Sequence, residues 1–196
     1  MNVLINCLHR ITIQVESFLE LRLVFNFILG YNGLMKKVSI ITIVYNNVKS
    51  IENSIMSVLS QKYNDIEYII IDGGSTDGTV EVIRKYIDKI SVFVTESDKG
   101  IYDALNKGIN SSSGDIIGIL HSDDTYSDEN VVSDMIETMT KNNSEIGFSD
   151  MVIINDEDQK IFRHYMASYF KVWMFKIGWM PPHPTFYARR NLYENY

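Results

Sequence analysis

Two adjacent carboxylates, Asp123 and Asp124, follow directly after a short apolar run at 116–120. The run has the length of a buried strand, so the two aspartates are expected at a strand end. Neighbouring like charges repel and raise the pKa of one carboxyl group, a cost that a divalent cation removes. Carboxylate oxygens suit Mg²⁺ or Mn²⁺, which also bind phosphate oxygens. The pair therefore predicts a metal and phosphate site, and the alternative is a solvated turn before a helix that Ser127 caps.

A glycine-rich turn at 72–79 follows a second apolar run at 66–71. The turn lacks the lysine of a P-loop and does not match the G-x-G-x-x-G dinucleotide fingerprint. Asp72 can instead accept a hydrogen bond from a base or a ribose, while the two glycines after it let the backbone approach a ligand. The alternative is an ordinary strand-to-helix turn in which Asp77 caps the helix.

A third polar segment, 98–108, opens a helix that carries several side chains able to bind a ligand. Tyr102 and Asn106 are four residues apart and share a helix face, as do Asp103 and Lys107. These residues can contact a bound molecule, or they can form one surface ion pair and one cap. The spacing alone leaves both interpretations open.

Apolar strands alternate with helical patterns between residue 38 and about residue 140. Strands are expected at 38–44, 66–71, 91–95 and 116–120, with helices beginning near 50, 101 and 127 and another that Asp77 or Thr76 caps. This alternation predicts an α/β fold with right-handed crossovers and a mostly parallel sheet flanked by helices. Ligands of such sheets lie beyond the carboxyl ends of the strands, so the polar turns are expected to meet at one edge.

The pattern changes after residue 145, where short extended pieces replace the long alternation. Extended pieces are expected at 146–150, 151–155 and 160–164, and the last two flank a polar turn and predict a hairpin. Residues 169–177 predict an amphipathic helix rich in aromatic side chains, and a proline-containing loop at 179–186 leads to a final strand. The C-terminal part is therefore expected to be short and antiparallel.

Composition restricts the partners and the compartment. A chain of 196 residues with 45% hydrophobic residues is sufficient for one domain with a full core. A net charge of −7 argues against a nucleic-acid partner, because no basic stripe is available to neutralise phosphates. The single cysteine excludes an internal disulfide and fits the cytoplasm.

Residues 1–34 differ from everything after them. Their apolar stretch is interrupted by charged residues, so it does not predict a transmembrane span, and it lacks the features of a signal peptide. Met35 resembles a natural start that leads directly into a strand. We therefore expect residues 1–34 to form an extension outside the core fold and residues 35–196 to form the domain. An interfacial helix in the extension, peripheral at the inner membrane, is the alternative.

The ordered set of motifs resembles the family 2 glycosyltransferases, which have the GT-A fold. The segments in which this resemblance lies are 38–46, 72–79, 98–108, Gly114-Asp115 and Ser122-Asp123-Asp124. Within that family the chain most resembles bacterial enzymes of O-antigen and capsule assembly, in which a segment like Pro182-His-Pro-Thr-Phe186 also occurs. The resemblance extends from Lys37 to about Arg190.

The resemblance implies a nucleotide-diphosphate sugar as donor, a saccharide or lipid-linked acceptor, inversion at the anomeric carbon and a role in surface polysaccharide biosynthesis. It identifies Ser122-Asp123-Asp124 with the DxD-type motif, in which Asp124 holds Mn²⁺ or Mg²⁺ and Asp123 contacts the metal, the ribose or the sugar. The residues expected to bind the donor are Tyr45, Asn46, Asp72, Asp98, Gly100, Tyr102, Asn106 and Asp123.

Two departures from the family pattern affect these expectations. Gly73 stands where many relatives have a second aspartate, which leaves uridine and guanosine both open as the base. The family's general base is a carboxylate beyond the His-Pro-Thr-Phe strand, and this chain ends at Tyr196. The resemblance therefore implies a C-terminal truncation with the base beyond Tyr196. His183 is the remaining candidate base, although its place between two prolines favours a role in loop shape or acceptor contact.

Two alternatives to a working glycosyltransferase remain. Thr76–Val80 resembles the nucleophile loop of haloacid-dehalogenase-like phosphatases, but Ser75 stands where that chemistry needs a carboxylate. The other alternative is a truncated chain that binds a nucleotide and has no transfer activity. Measuring binding and transfer separately distinguishes these cases.

Overall fold

A central sheet carries the alternating strands and helices in the computed structural model, which describes residues 3–13, 36–155 and 160–195. In chain order its strands are β1 (Val3–Ile13), β2 (Val38–Val44), β3 (Ile66–Asp72), β4 (Val92–Thr95), β5 (Ile116–Ile119), β6 (Asp124–Tyr126), β7 (Ile146–Ile154), β8 (Ile161–Tyr165) and β9 (Tyr187–Arg189). The α-helices are α1 (Ile51–Leu59), α2 (Thr79–Arg84), α3 (Ile101–Ser111), α4 (Val131–Lys141) and α5 (Arg190–Asn195). Short 3₁₀ turns lie at Ile87–Lys89, Ala167–Tyr169, Val172–Ile177 and His183–Thr185.

The strand order in the sheet is β4-β3-β2-β5-β9-β7-β1-β6, with β8 paired to β7. Strands β4, β3, β2 and β5 are parallel neighbours. β9 runs antiparallel between β5 and β7, and β7 pairs antiparallel with β8. The expected parallel sheet, the hairpin and the antiparallel C-terminal part are thereby confirmed.

β2 is the most buried element because it has a neighbour on each side and helices on both faces. All seven of its residues are buried, as its nearly continuous β-branched sequence predicts. Val38, Ile40 and Val44 join the core cluster that includes residues of α1 and α4. Ile41 and Ile43 join a second cluster that includes Ala104 of α3. The sheet is therefore a rigid support for the turns that follow its strands.

Three local expectations were wrong. Residues 169–177 form 3₁₀ turns instead of one amphipathic helix. Their aromatic rings pack on one another rather than on a single helix face, with Phe170 4.6 Å from Trp179 between ring centroids. α4 begins at Val131, so Ser127 does not cap it. Residues 146–154 form one strand rather than two pieces.

The first strand bears on the expected extension at residues 1–34. β1 pairs antiparallel with β7 along its length and parallel with β6 at Val3–Ile5. Residues 14–35 lie outside the described part of the chain, so the domain boundary at residue 35 stays a prediction. Among the helices of the described residues, none combines the length and apolarity that crossing a bilayer demands.

Candidate functional site

A cleft of about 300 Å³ lies where β2 and β5 end and α3 begins. This is the edge of the sheet at which the polar turns were expected to meet. It is lined by Ile43, Val44, Tyr45, Asp98, Gly100, Ile101, Ala104, His121, Ser122 and Asp123. Of the eight residues expected to bind a donor, the structure therefore brings four to this cleft: Tyr45, Asp98, Gly100 and Asp123.

Tyr45 and Asn46 form the turn after β2. The Tyr45 side chain is 65% exposed although it lines the cleft, so much of its surface is available to a ligand. Asn46 has a positive φ of 48°, which asparagine tolerates better than most residues. Its Oδ1 accepts a hydrogen bond from the Thr76 N–H at 2.8 Å, and its own N–H donates to Ser75 Oγ at 2.7 Å. Asn46 thus ties the turn after β2 to the turn after β3.

Asp72 lies inside the glycine-rich turn rather than in the cleft lining. Its buried carboxylate accepts hydrogen bonds from the Gly74 N–H, from the Ser75 N–H and hydroxyl, and from Thr95 Oγ1 at 2.6 Å. These donors use the acceptor capacity of the two oxygens. In this structure Asp72 therefore holds the turn after β3 against the end of β4, and its expected donor contact stays a prediction.

Asp98 reaches the cleft because Gly73 has no side chain. A Cβ on Gly73 would lie 2.5 Å from Asp98 Oδ2. The other carboxylate oxygen, Oδ1, accepts a hydrogen bond from the Gly100 N–H at 2.9 Å. Gly100 itself has a φ of 114°, a left-handed conformation that favours glycine. The two glycines therefore fix the position of the Asp98 carboxylate.

α3 presents Ile101 and Ala104 to the cleft and directs other side chains elsewhere. Tyr102 is 78% exposed and Asn106 is exposed, and neither lines the cleft. Asp103 and Lys107 form an ion pair at 3.4 Å, and Asp103 Oδ2 accepts a hydrogen bond from the Lys99 N–H. Asp103 and Lys107 thus form the surface ion pair that their spacing allowed, whereas no side chain caps α3 at Gly100.

The two aspartates after β5 occupy different environments. Asp123 is exposed and lines the cleft, whereas Asp124 begins β6 and is only 3% exposed. Burial, and next the charge of Asp123, raise the pKa of Asp124 to about 8. Ser54 Oγ of α1 donates to the Asp124 carbonyl at 2.8 Å and fixes the backbone there. Within the described residues, no three His, Cys, Asp or Glu side chains form a ready-made metal cluster.

His121 is a cleft residue that sequence reasoning missed. Burial lowers the pKa of its imidazole, the Asp123 carboxylate opposes this shift, and the charge of His183 adds to it. His183 lies in the 3₁₀ turn His183–Thr185, is exposed, and is near enough to influence His121. The sequence feature that could have indicated a role for His121 is its position directly after the apolar run at 116–120, beside Ser122. The candidate base His183 itself does not line the cleft.

The structure and sequence of this chain are similar to those of known glycosyltransferases. The family model described as glycosyl transferase family 2 matches residues 39–195. An uncharacterized glycosyltransferase of Mycobacterium tuberculosis is 38% identical over 104 residues, which cover 53% of this chain and 40% of that protein.

Solved structures agree with the sequence match. A mannosyltransferase from Pyrobaculum calidifontis, in complex with GDP-Man and Mn²⁺, has a TM-score of 0.63 at 18% identity, covering 83% of this chain and 47% of its own. S. aureus TarS in complex with UDP-GlcNAc has a TM-score of 0.62 at 19% identity, covering 81% of this chain and 47% of its own. These likenesses confirm the α/β fold class. The chain spans about two fifths of the length of the curated relatives it matches.

Proposed function

This chain belongs to glycosyl transferase family 2, and from that premise we propose that it binds a nucleotide-diphosphate sugar and transfers the sugar, with inversion, to a saccharide or lipid-linked acceptor. The observation that carries the proposal is the cleft at the carboxyl ends of β2 and β5, where Tyr45, Asp98 and Asp123 converge. The role proposed for the product is surface polysaccharide biosynthesis. Mannosyltransferase and TarS structures with bound nucleotide sugars support the donor class.

The side chains at the cleft match the parts of such a donor. An exposed aromatic ring such as that of Tyr45 can stack on a nucleobase. Asp98 and Asp123 carry carboxylates that can accept hydrogen bonds from ribose or sugar hydroxyls. Asn46, Asp72 and Gly100 shape the backbone beneath these groups. Tyr102 and Asn106 stand further out on α3, where they are proposed to meet the donor once it is bound.

The acidic pair fits a divalent cation. Asp124 is buried next to a like charge, and both effects raise its pKa to about 8; a cation would relieve both. Asp124 and Asp123 are the residues that would hold Mn²⁺ or Mg²⁺ near the donor phosphates. Such an ion supplies Lewis-acid stabilisation of the negative charge that develops on the departing nucleoside diphosphate.

The chain's own residues define two sides of the reaction centre. Asp123 and Asp124 face the phosphates in this proposal, so they are poor proton acceptors for the attacking hydroxyl. His183 is exposed and near enough to His121 for its charge to act there, and we assign it to the acceptor side, as a contact to the incoming hydroxyl or as its base. Ile101 and Ala104 of α3 add an apolar wall that limits water at the sugar.

Calorimetry with Asp124→Asn tests the proposal. We expect the parent chain to bind UDP or GDP in the presence of Mn²⁺, and the variant to lose at least tenfold in affinity, because it loses one charged ligand of the cation. The variant should keep its melting temperature without metal, since an uncharged amide replaces a buried carboxyl group beside Asp123. Glu137→Gln, an equally conservative change at an exposed position of α4, is the matched control.

Two results would contradict the proposal. Equal nucleotide affinity in the parent and in Asp124→Asn, with Mn²⁺ present, would remove Asp124 from the metal site. Absence of nucleotide binding by the folded parent chain would reject the donor class. Turnover with a panel of sugar nucleotides, measured on the same samples, separates a transferase from a chain that binds nucleotide alone.

A further inference from the structure

Large apolar side chains are exposed mainly in one segment, residues 161–180. Nine of the fourteen exposed large hydrophobic residues of the described chain lie there. They are Ile161, Phe162, Met166, Tyr169, Val172, Trp173, Phe175, Ile177 and Met180. β8 supplies the first two, and residues 166–180, here named the aromatic loop, supply the rest. A concentration of this kind marks an interaction surface.

The aromatic loop is folded onto the sheet rather than loosely attached. Phe148 of β7 is fully buried and lies 5.4 Å from the ring of Phe170 and 5.9 Å from that of Trp179. Phe175 packs against Phe170 at 5.0 Å. These rings anchor the loop from inside, while Val172, Trp173 and Ile177 stay 55–69% exposed.

The same segment is basic in an acidic protein. Residues 161–180 contain three Lys or Arg and no Asp or Glu, whereas the whole chain has a net charge of −7. Lys171 and Lys176 lie within the aromatic loop and are exposed. Arg163 of β8 is exposed as well, and its guanidinium lies 4.4 Å from the centre of the Tyr165 ring. Apolar and cationic groups therefore share one surface.

We propose that β8 and the aromatic loop form a docking surface for an anionic lipid bilayer. Trp and Tyr favour the membrane interface, where an apolar ring meets acyl chains and polar groups stay hydrated. Lys and Arg are attracted to anionic headgroups. A surface that combines Trp173, Tyr169 and exposed lysines, without a carboxylate in the segment, matches both requirements.

The positive charge of this surface disfavours two other occupants, a protein partner and a second copy of the chain. The cores of protein–protein interfaces are depleted of lysine, whereas Lys171 and Lys176 flank the most exposed apolar residues of this loop. A second copy of the chain would bring the same basic segment against itself in a two-fold interface, which repels. The proposal uses neither the donor cleft nor its metal, so it stands or falls separately from the proposed function.

Vesicle flotation of the full chain tests the proposal. We expect the parent to float with vesicles of phosphatidylglycerol and phosphatidylcholine and to stay behind with phosphatidylcholine alone. Lys171→Gln with Lys176→Gln should weaken binding about 30-fold, because each charge near an anionic surface contributes about fivefold. Val172→Ser with Trp173→Ser and Ile177→Ser should weaken it more than tenfold by removing the apolar insertion. Added salt should weaken binding of the parent.

Matched variants away from the surface control for general effects. Lys89→Gln with Lys141→Gln removes two exposed charges elsewhere, and Met56→Ser with Ile87→Ser removes two exposed apolar side chains. Both controls should float like the parent. Circular dichroism and nucleotide affinity of every variant show that the fold and the cleft are intact, and the lysine variant alters no buried side chain.

Three outcomes would overturn the proposal. A parent chain that floats with neither vesicle has no membrane surface here. Equal binding to neutral and anionic vesicles would remove the role of the lysines. Absence of flotation, together with a dimer in sedimentation velocity that the triple serine variant abolishes, would identify a second copy of the chain as the occupant.

Discussion

An ideal Cβ on Gly73 would lie 2.5 Å from Asp98 Oδ2, closer than real Cβ contacts come. The backbone of Gly73 is not in the left-handed region, so an alanine there would clash only with the Asp98 carboxylate. We expect Gly73→Ala to displace the Asp98 side chain, which is flexible, and to break its hydrogen bond with the Gly100 N–H. Nucleotide affinity should fall by about tenfold, since the displaced Asp98 would lose a hydrogen bond to the donor, and a hydrogen bond to a charged group contributes roughly 1.5 kcal/mol. Loss of the internal bond to Gly100 should lower the melting temperature by only a few degrees.

A double variant checks that Asp98 transmits this effect. In an Asp98→Ala background the added methyl group of Gly73→Ala meets no carboxylate, so the two changes together should weaken binding no more than Asp98→Ala alone. Additive losses, measured by calorimetry, would show that Gly73 acts on the donor through its backbone instead.

Asp72 and His121 show where residue-level reasoning from the sequence stopped. An aspartate followed by glycine and serine is expected in two kinds of turn. In one, the carboxylate is free to bind a ligand; in the other, it accepts hydrogen bonds from the turn itself. Only the structure reveals that Ser75 and Thr95 already donate to Asp72. His121 went unnoticed because one histidine after an apolar run carries no periodic signal, and its place in the cleft depends on how β5 and α3 meet.

At the scale of elements, Glu67 joins three segments at the end of the sheet opposite the cleft. Its carboxylate accepts hydrogen bonds from Lys37 before β2, from Ser39 in β2 and from Ser113 before β5. Burial alone would raise the pKa of Glu67, but these hydrogen bonds outweigh it and hold the pKa at about 2. The charged form is therefore favoured by folding.

The pH dependence of stability follows from that lowered pKa. The unfolded Glu67 titrates near its ordinary pKa of 4.5, so its contribution is complete above that pH and is lost as the pH falls from 4.5 towards 2. We expect Glu67→Gln to cost about 2 kcal/mol at pH 7, allowing for screening by solvent, and almost nothing at pH 2. Urea unfolding of the parent and of the Glu67→Gln variant across this range measures the difference. The exposed Glu137→Gln control should cost little at any pH; a constant loss for Glu67→Gln would contradict the linkage.

α3 depends on Gly108 for its close approach to the sheet. A Cβ there would lie 2.5 Å from Cγ2 of Ile41, a fully buried residue of β2 that cannot move aside. Gly108→Ala should therefore push the helix outward and destabilise the protein by about 1–3 kcal/mol. The displacement also moves Ile101 and Ala104, so nucleotide affinity should fall with stability. Asn110→Ala, an exposed change on the same helix, should leave both unchanged in chemical unfolding and calorimetry.

Over the whole molecule, the sequence predicted the parallel half of the sheet much better than the C-terminal part. β2, β3 and β5 are buried on both faces, and such strands give continuous apolar runs that can be recognised without tertiary information. The aromatic loop has an equally apolar sequence, but ring packing on Phe148 sets its path, and that contact joins residues far apart in the chain. Helical spacing was therefore a poor guide to it.

The last prediction concerns residues 1–34, which we propose to lie outside the nucleotide-binding unit. All residues lining the cleft fall between Ile43 and Asp123, and the family match begins at residue 39. A chain beginning at Met35 should therefore bind a nucleoside diphosphate within about twofold of the full chain. β1 nevertheless pairs with β7 and with β6, so its removal should lower the melting temperature by several degrees, where 1 kcal/mol corresponds to about 2–4 °C. Ile5→Pro in the full chain, which disrupts the same strand, should reproduce that loss. An unchanged melting temperature would mean that the pairing adds no stability, and loss of nucleotide binding in the shortened chain would place residues 1–34 within the functional unit.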